Sequence, residues 1–454
     1  MTNSLGRPLL AAFVLARWAL GASAVANPVA THVVHISVDG LRGDLLAANL
    51  ASAPTDYPNF KRFVDEGATT FNARTDYFNV QTLPNHATMI TGRPVERPSG
   101  ASAVTHHGYS SDGTPTASTT LHNAGNPALD YVVSVFDVVH DNGMSTGLYA
   151  SKSKFALFEQ SYGPTTGAVD ATGVDNGRDK IDAHWIQTSP IAAQQAYLVD
   201  MATEAFNYSF LHYSLLDGVG HNAGWESDSW NSALQFVDGD LGDVLALIES
   251  HAVLAGDTIV ILTSDHGGTG VGHGTPAAAA NYTIPLLVWG PGVAQGADLY
   301  ALNPRSRLDP GAGRPDYSQL TQPVRSGDSG NLALDLLGLG PIVGSTINSR
   351  QDLLVAAAFA ADFDQNQTVD AADLALWNAG YGRTGPVAKS DGDANWDGAV
   401  DAKDFLQWQR EHGSQLSAAC AAANVPEQPC IALALAGVAS LVLSAWCRSS
   451  ARRA

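Results

Sequence analysis

The sequence predicts a large α/β domain, built on a mostly parallel sheet with helices on both faces, and a small helical domain behind it. Three observations predict this. Short apolar runs rich in β-branched residues, such as Val33 to Val38 and Thr258 to Thr263, are bounded by turns, as strands buried on both faces are. Between Thr31 and about Val355 such runs alternate with helical stretches, the layering that parallel strands and crossover helices produce. After Ala361 the composition shifts abruptly, with nine Asp and no Glu between Asp362 and Asp404. At 454 residues the chain has room for both parts, since single cores seldom grow past about 250 to 300 residues.

Taken in order, residues 1–26 read as a secretory signal: Arg7 precedes an apolar stretch from Leu9 to Ala24, and Ala24-Val25-Ala26 is a small-residue cleavage site. This implies export across the inner membrane. The large domain follows at 31–354. It opens with the strand before Asp39, then a helix around Tyr57 to Glu66 and a helix from about Pro84 to Thr91. The segment from Arg93 to Asn126, full of Pro, Gly, Ser and Thr, is too long for a connector and is expected to wall the functional site. A helix around Tyr131 to Asn142, the strand Thr146 to Ala150, the helix Ile191 to Phe206 and a strand ending at Asp217 come next. The helix Ser229 to His251, the strand ending at Ser264 and the strand Ile284 to Trp289 complete the pattern.

Two similar units, thirty-one residues apart, occupy 361–413. Asp362, Asp364, Asn366, Asp370 and Asp373 in the first, and Asp393, Asn395, Asp397, Asp401 and Asp404 in the second, fall at positions 1, 3, 5, 9 and 12 of a twelve-residue loop. Hard oxygen ligands at that spacing wrap a calcium ion, so up to two Ca2+ are expected. Each loop runs into a helical stretch, Ala372 to Asn378 and Ala402 to Glu411. The pair resembles a type I dockerin, which implies a possible cohesin-like surface partner. Gly398 fills the turn of the second loop, whereas Gln367 stands there in the first. A spacer covers 414–424. From Ile431 to Cys447 every residue is apolar or small, and Arg448, Arg452 and Arg453 follow, the pattern of a membrane segment with a basic stop. The preceding Val425-Pro426-Glu427-Gln428-Pro429 resembles the proline motif of exosortase-type sorting tails, implying a sorting enzyme for 425–454.

The formal net charge of −20, from 44 acids against 24 bases, argues against nucleic acid held through phosphate contacts. An acidic chain still processes phosphate esters when metal ions supply the positive charge. Cys420, Cys430 and Cys447 all lie in the last thirty-five residues, so the folded part has no disulfide.

Three apolar runs end in an acid and a small turn: VVHISVDG at Asp39, FLHYSLLDGVGH at Asp217 and His221, and IVILTSDHG at Asp265 and His266. Asp and His delivered to one sheet edge suit zinc. Gly218-Val219-Gly220 reads as a tight turn bringing Asp217 and His221 to one cation, and His273 joins from the glycine-rich loop after His266. Thr82 precedes the helix that begins near Pro84, where free amides favour negative charge, and is the candidate nucleophile.

The order SVDG, TLPNH, DGVGH and SDHG with GHG resembles the nucleotide pyrophosphatase/phosphodiesterase branch of the alkaline phosphatase superfamily, over roughly Thr31 to Asn348. The resemblance implies an alkaline phosphatase-like fold and two Zn2+. One would sit on Asp39, Asp265 and His266 beside Thr82, and the other on Asp217, His221 and His273. It also implies phosphodiester or pyrophosphate hydrolysis through a phosphothreonine. One position departs: where the family places an Asn after His-Gly, this chain has Asp112 after His107-Gly108, so Asn85 is the alternative donor to a substrate phosphate. Lys152 and Lys154 read as solvated lysines. A phosphomonoesterase is the nearest rival activity. A sulfatase is set aside, because no Cys or Ser in a Pro-x-Arg context stands at Thr82. A calcium-dependent surface scaffold with an impaired site is the alternative from another class.

Overall fold

The computed structural model describes residues 30–165, 167–169, 178–356, 359–364, 368–385, 387, 389–394 and 398–414. The signal segment, residues 415–424 of the spacer, the sorting motif and membrane segment, and the calcium-loop positions Asn366, Asn395 and Asp397 lie outside these residues. Among the described residues no helix is long and apolar enough to cross a membrane.

Eight strands form one sheet: β1 (His32–Val38), β2 (Ala68–Arg74), β3 (Thr146–Ala150), β4 (Ala183–Ile186), β5 (Tyr208–Tyr213), β6 (Thr258–Thr263), β7 (Thr283–Trp289) and β8 (Ala297–Asp298). Their order is β4-β3-β5-β1-β6-β7-β2-β8. The helices that frame the site are α1 (Gly43–Ser52), α2 (Pro58–Glu66), α3 (Thr82–Thr91), α4 (Val135–Asp141), α5 (Pro190–Glu204), α6 (Leu215–Ala223), α7 (Asp228–Ser250) and α8 (Asp328–Leu336). This is the mostly parallel, two-sided α/β sheet that the sequence predicts.

β1 is central, paired in parallel with β5 on one side and β6 on the other. Alternation along these strands divides the core in two. Val33, Phe210, Ile259 and Ile261 pack with α3, α4 and α8 on one face, while Val34, Ile36, Leu211, Val260 and Leu262 pack with α1, α2, α5 and α7 on the other. Ser37, Asp39 and His212 continue the first set, so the chemistry gathers on the α3 face.

β7 pairs antiparallel with both β6 and β2, the exception in a mostly parallel sheet. The cause lies in the link from β6 to β7, a glycine-rich loop ending in the single turn Ala279–Tyr282 rather than a crossover helix. A parallel return needs a crossover, whereas a loop that stays at one edge must send the next strand back. This confines His273 to the edge where Asp265 sits. β2, β4 and β8 were not legible: ATTFNAR is mixed in polarity, AHWI is short and half exposed, and β8 has two residues.

Three histidines lie deep in this core. Burial pushes His35 and His107 down to about 3 and His122 to about 4. They are neutral when folded, yet near 6.5 when unfolded, so the unfolded chain takes up protons first as pH falls. Stability is therefore full above about pH 6.5 and drops below it, by about 1.4 kcal/mol per pH unit for each histidine. His35 lies 4.7 Å from Phe210, ring to ring. His35→Phe should flatten the fall in melting temperature between pH 6.5 and 4 by one such slope, and a melt series across that range measures it.

At 359–414 a separate apolar cluster of Ala361, Phe363, Val369 and Ala394 holds two helices, α9 (Ala371–Gly380) and α10 (Ala402–Glu411). Asp370 and Asp401 cap them, and Asp373 and Asp404 complete capping boxes. The Trp377 indole donates to the Asp401 carbonyl and the Trp408 indole to the Asp370 carbonyl, both at 3.0 Å. Val369 N–H donates to Ser414 O and Gly413 N–H to Val369 O, both at 2.9 Å, so the chain leaving this unit lies against the chain entering it.

Candidate metal centre

Asp39 follows β1 directly, and Asp265 and His266 follow β6, so all three reach one edge of adjacent strands. Asp217 and His221 arrive differently from the sequence reading. β5 ends at Tyr213 and the chain turns into α6, so Gly218-Val219-Gly220 is helical rather than a tight turn. The i, i+4 spacing on a helix brings both side chains to one face. The glycine there serves packing: a Cβ on Gly220 would stand 2.7 Å from the Trp225 ring. Gly40 has φ +76°, and a Cβ there would lie 3.1 Å from the Asp217 Cα. Only glycine lets the turn after Asp39 lie so close to the first turn of α6.

The predicted ligands form two trios, each with its ligating atoms within 4.8 Å of one another. In the first, His266 Nε2 is 3.3 Å from Asp265 Oδ2 and 3.4 Å from Asp39 Oδ1. In the second, Asp217 Oδ1 is 3.3 Å from His221 Nε2 and 3.5 Å from His273 Nε2. Donors about 2.0–2.1 Å from a tetrahedral ion stand about 3.3–3.4 Å apart, so these spacings suit one small cation in each trio.

Two further observations fit a cation. Asp39 Oδ1, Asp265 Oδ2, His266 Nε2 and Asp217 Oδ1 are buried without a hydrogen-bond partner, which is costly unless an ion satisfies them. And all three histidines bond through Nδ1 to a backbone carbonyl: His266 to Gly267, His221 to Val271, and His273 to Val80, at 2.8–2.9 Å. That bond fixes the tautomer with the Nε2 lone pair facing the site, as ligating histidines require. Burial lowers the pKa of His266 and takes that of His273 down to about 4, which keeps those two imidazoles neutral. Burial and the nearby Asp39 charge raise Asp265 well above the usual carboxylate range.

Thr82 is the first residue of α3 and is buried. Lys152, expected to be solvated, is instead built into the centre. Its Nζ lies 2.6 Å from Asp39 Oδ2, 2.7 Å from Asp217 Oδ2 and 3.5 Å from Thr82 Oγ1. Burial opposes its charge, but Asp39, Asp217 and Asp265 outweigh burial and raise its pKa, so the ammonium stays charged. The reading as a surface lysine fails because three carboxylates converge on one point, which only the tertiary fold reveals.

The long loop does reach the site, as expected. Asp112 Oδ1 accepts the Leu83 N–H at 3.0 Å, and Asp112 Oδ2 pairs with Lys154 Nζ at 2.8 Å. The ammonium offsets the charge that a phosphate would otherwise meet. Asn85 is not a free donor, contrary to the sequence reading. Its amide donates to the Asn79 and Gln81 carbonyls and its oxygen accepts the Asp76 N–H, which shapes the turn ahead of Thr82. Two histidines went unremarked in the sequence. His86 bonds Ser37 Oγ at 2.8 Å and the Thr82 carbonyl at 2.7 Å, tying α3 to β1. His212 bonds Asp39 Oδ2 at 2.9 Å. Their signal was parity, since His212 shares its strand face with Phe210.

The sequence profile of the type I phosphodiesterase / nucleotide pyrophosphatase family matches residues 33–98 and 104–326, which include both trios, Thr82, Asp112 and Lys152. The chain is 25% identical over 268 residues to human ectonucleotide pyrophosphatase/phosphodiesterase family member 5. That match covers 58% of this chain and 50% of the relative, so the chain spans about half the length of the curated relative it matches. Among solved structures, murine ectonucleotide pyrophosphatase/phosphodiesterase 5, an inactive variant in complex with AMP, is 14% identical with a TM-score of 0.48, covering 71% of this chain and 99% of that one. A protein of the alkaline phosphatase superfamily from Vibrio parahaemolyticus is 14% identical with a TM-score of 0.43, covering 74% and 73%.

Proposed function

This chain belongs to the type I phosphodiesterase / nucleotide pyrophosphatase family, and from that premise we propose that it is an exported, metal-dependent hydrolase of phosphodiester or pyrophosphate bonds with Thr82 as nucleophile. The observation that carries the reading is Lys152, whose one ammonium touches Thr82 Oγ1 and a carboxylate of each trio. The hydroxyl and both metal trios therefore share one centre. Asp39, Asp265 and His266 would hold one zinc ion, and Asp217, His221 and His273 the other. Bound zinc would lower the hydroxyl pKa and neutralise charge on the transferred group.

Thr82 Oγ forms a bond to phosphorus as the ester or pyrophosphate oxygen leaves and takes a proton. Water then cleaves the phosphothreonine and restores the hydroxyl. Throughout, Lys152 offers N–H to the nucleophile and to oxygens of the transferred group, while the amides of the first turn of α3 favour its negative charge. Asp112 and Lys154, paired beside Leu83, line the substrate side.

A second reading, a phosphomonoesterase, is favoured by Lys152, since a dianionic monoester gains more from a nearby ammonium than a monoanionic diester does. Metal analysis with hydrolysis of bis-p-nitrophenyl phosphate and p-nitrophenyl phosphate ranks the two. The expected result is two zinc ions per chain and faster diester turnover. A protein that holds the metals yet turns over neither ester would leave the calcium-dependent scaffold reading in its place. For residues 361–413 the proposal is a dockerin-like unit with up to two calcium ions, the second on Asp393, Asn395, Asp397, Asp401 and Asp404. It is supported by the carboxylate oxygens of Asp362, Asp364 and Asp373, gathered within 4.8 Å of one another. Surface retention through the sorting tail at 425–454, and a cohesin-like partner, complete the proposal.

A further inference from the structure

Each histidine of the two trios is oriented by its own carbonyl, but the carboxylates need orienting too. Asp39 is the most exposed to this problem. It directly follows β1 and its backbone is held, its N–H donating to the Tyr213 carbonyl at 2.9 Å, so what remains to be set is the rotation of its carboxylate. Its Oδ1 faces His266 Nε2 at 3.4 Å and has no hydrogen-bond partner. Its Oδ2 is held from two sides, by Lys152 Nζ at 2.6 Å and by His212 Nε2 at 2.9 Å.

His212 is suited to that task. It sits on β5 opposite Ser37 in the parallel register with β1, two positions before Asp39 and on the same face. It is fully buried, its ring 4.3 Å from Phe155 and 5.1 Å from His86, and Ser151 Oγ donates to its carbonyl at 3.0 Å. A ring so packed has one orientation. Lys152, by contrast, reaches Asp39 on a flexible stem shared with Asp217.

We propose that His212 is the positioning residue of the first metal site, its Nε2–H fixing one oxygen of Asp39 so that the other faces the ion held with Asp265 and His266. The inference rests on the two-metal reading. It predicts an asymmetry that general destabilisation would not produce. Losing the His212 donor should weaken the site of Asp39, Asp265 and His266 and spare that of Asp217, His221 and His273. Groups of this kind typically change metal affinity about 10- to 100-fold.

The test uses the full-length protein, stripped and titrated with zinc against a chromophoric chelator, with melting temperature followed alongside. Wild type should take up two ions per chain. His212→Phe keeps the ring packing without a donor and should keep one ion at wild-type affinity while the other weakens at least tenfold. His212→Gln restores an N–H at similar reach and should recover the second ion to within about threefold. Should His212→Phe not fold, His212→Met against His212→Gln makes the same comparison at equal length. Two ions bound at wild-type affinity by the donor-less variant would overturn the inference, as would equal loss in the Gln variant. A wild type that takes up no zinc would overturn the two-metal reading itself, which is a separate outcome.

Discussion

Thr82→Ala will lower turnover of every ester the protein accepts by about ten-thousand-fold or more, while both metal ions stay bound. The size follows from what the hydroxyl does. The hydroxyl stands 3.5 Å from Lys152 Nζ and, among the described residues, makes no bond that holds α3 to its neighbours. His86 still holds the residue 82 carbonyl, and Asp112 still accepts the Leu83 N–H, so the helix end stays where it was. What is lost is the atom that attacks phosphorus. Thr82→Ser returns an oxygen on the same backbone, and its turnover should lie within about tenfold of wild type, the difference reflecting a freer rotamer. Steady-state kinetics on both nitrophenyl esters, with metal content measured on the same samples, decides this. Wild-type turnover by the alanine variant would remove Thr82 from the mechanism.

Lys152→Met should reduce monoester kcat/KM by about a hundred- to a thousandfold and diester kcat/KM by less, changing their ratio. The reason is charge. Three carboxylates, Asp39, Asp217 and Asp265, face the ammonium. Without it, a dianionic phosphoryl group approaches a site that has lost one positive charge, and a monoanionic diester suffers less from the same loss. Lys152→Arg should rescue poorly, because the planar guanidinium does not fit a point held at 2.6 and 2.7 Å between two carboxylate oxygens. An equal loss on both substrates would show that Lys152 acts on Thr82 or on the metal trios and not on substrate charge.

The legible and illegible parts of this protein divide on physical grounds. Asp39, Asp265 and His266 were readable because strand periodicity fixes where a buried run stops, and an acid at that point has few other uses. The membership of both trios was readable with them, as a resemblance. The route taken by Asp217 and His221 was not. Two glycines within five residues suggest a turn, and only Trp225 packing against Gly220 shows why a helix tolerates them there. The reversal of β7 depends on a loop staying at one edge, which no local pattern encodes. Lys152 was misjudged because lysine is solvated unless charges from distant segments meet around it, and here they come from β1, α6 and the loop after β6. Asn85 was misjudged in the opposite sense. It looked like a donor for a ligand, but its own turn uses both sides of the amide.

The closure of the small unit at Val369 has a mechanical consequence. Chain enters near Ala361, whose N–H donates to Glu411 Oε2, and leaves past Gly413 and Ser414, which exchange bonds with Val369. Tension applied along the polypeptide from both directions therefore meets at neighbouring points, loading those few bonds in shear. The Ala361 bond ends on Glu411, the last residue of α10, so that helix end is part of the same neck. A pull on the chain would be resisted first at this neck, by bonds that tie the start of the unit and its first acidic loop to the residues that leave it.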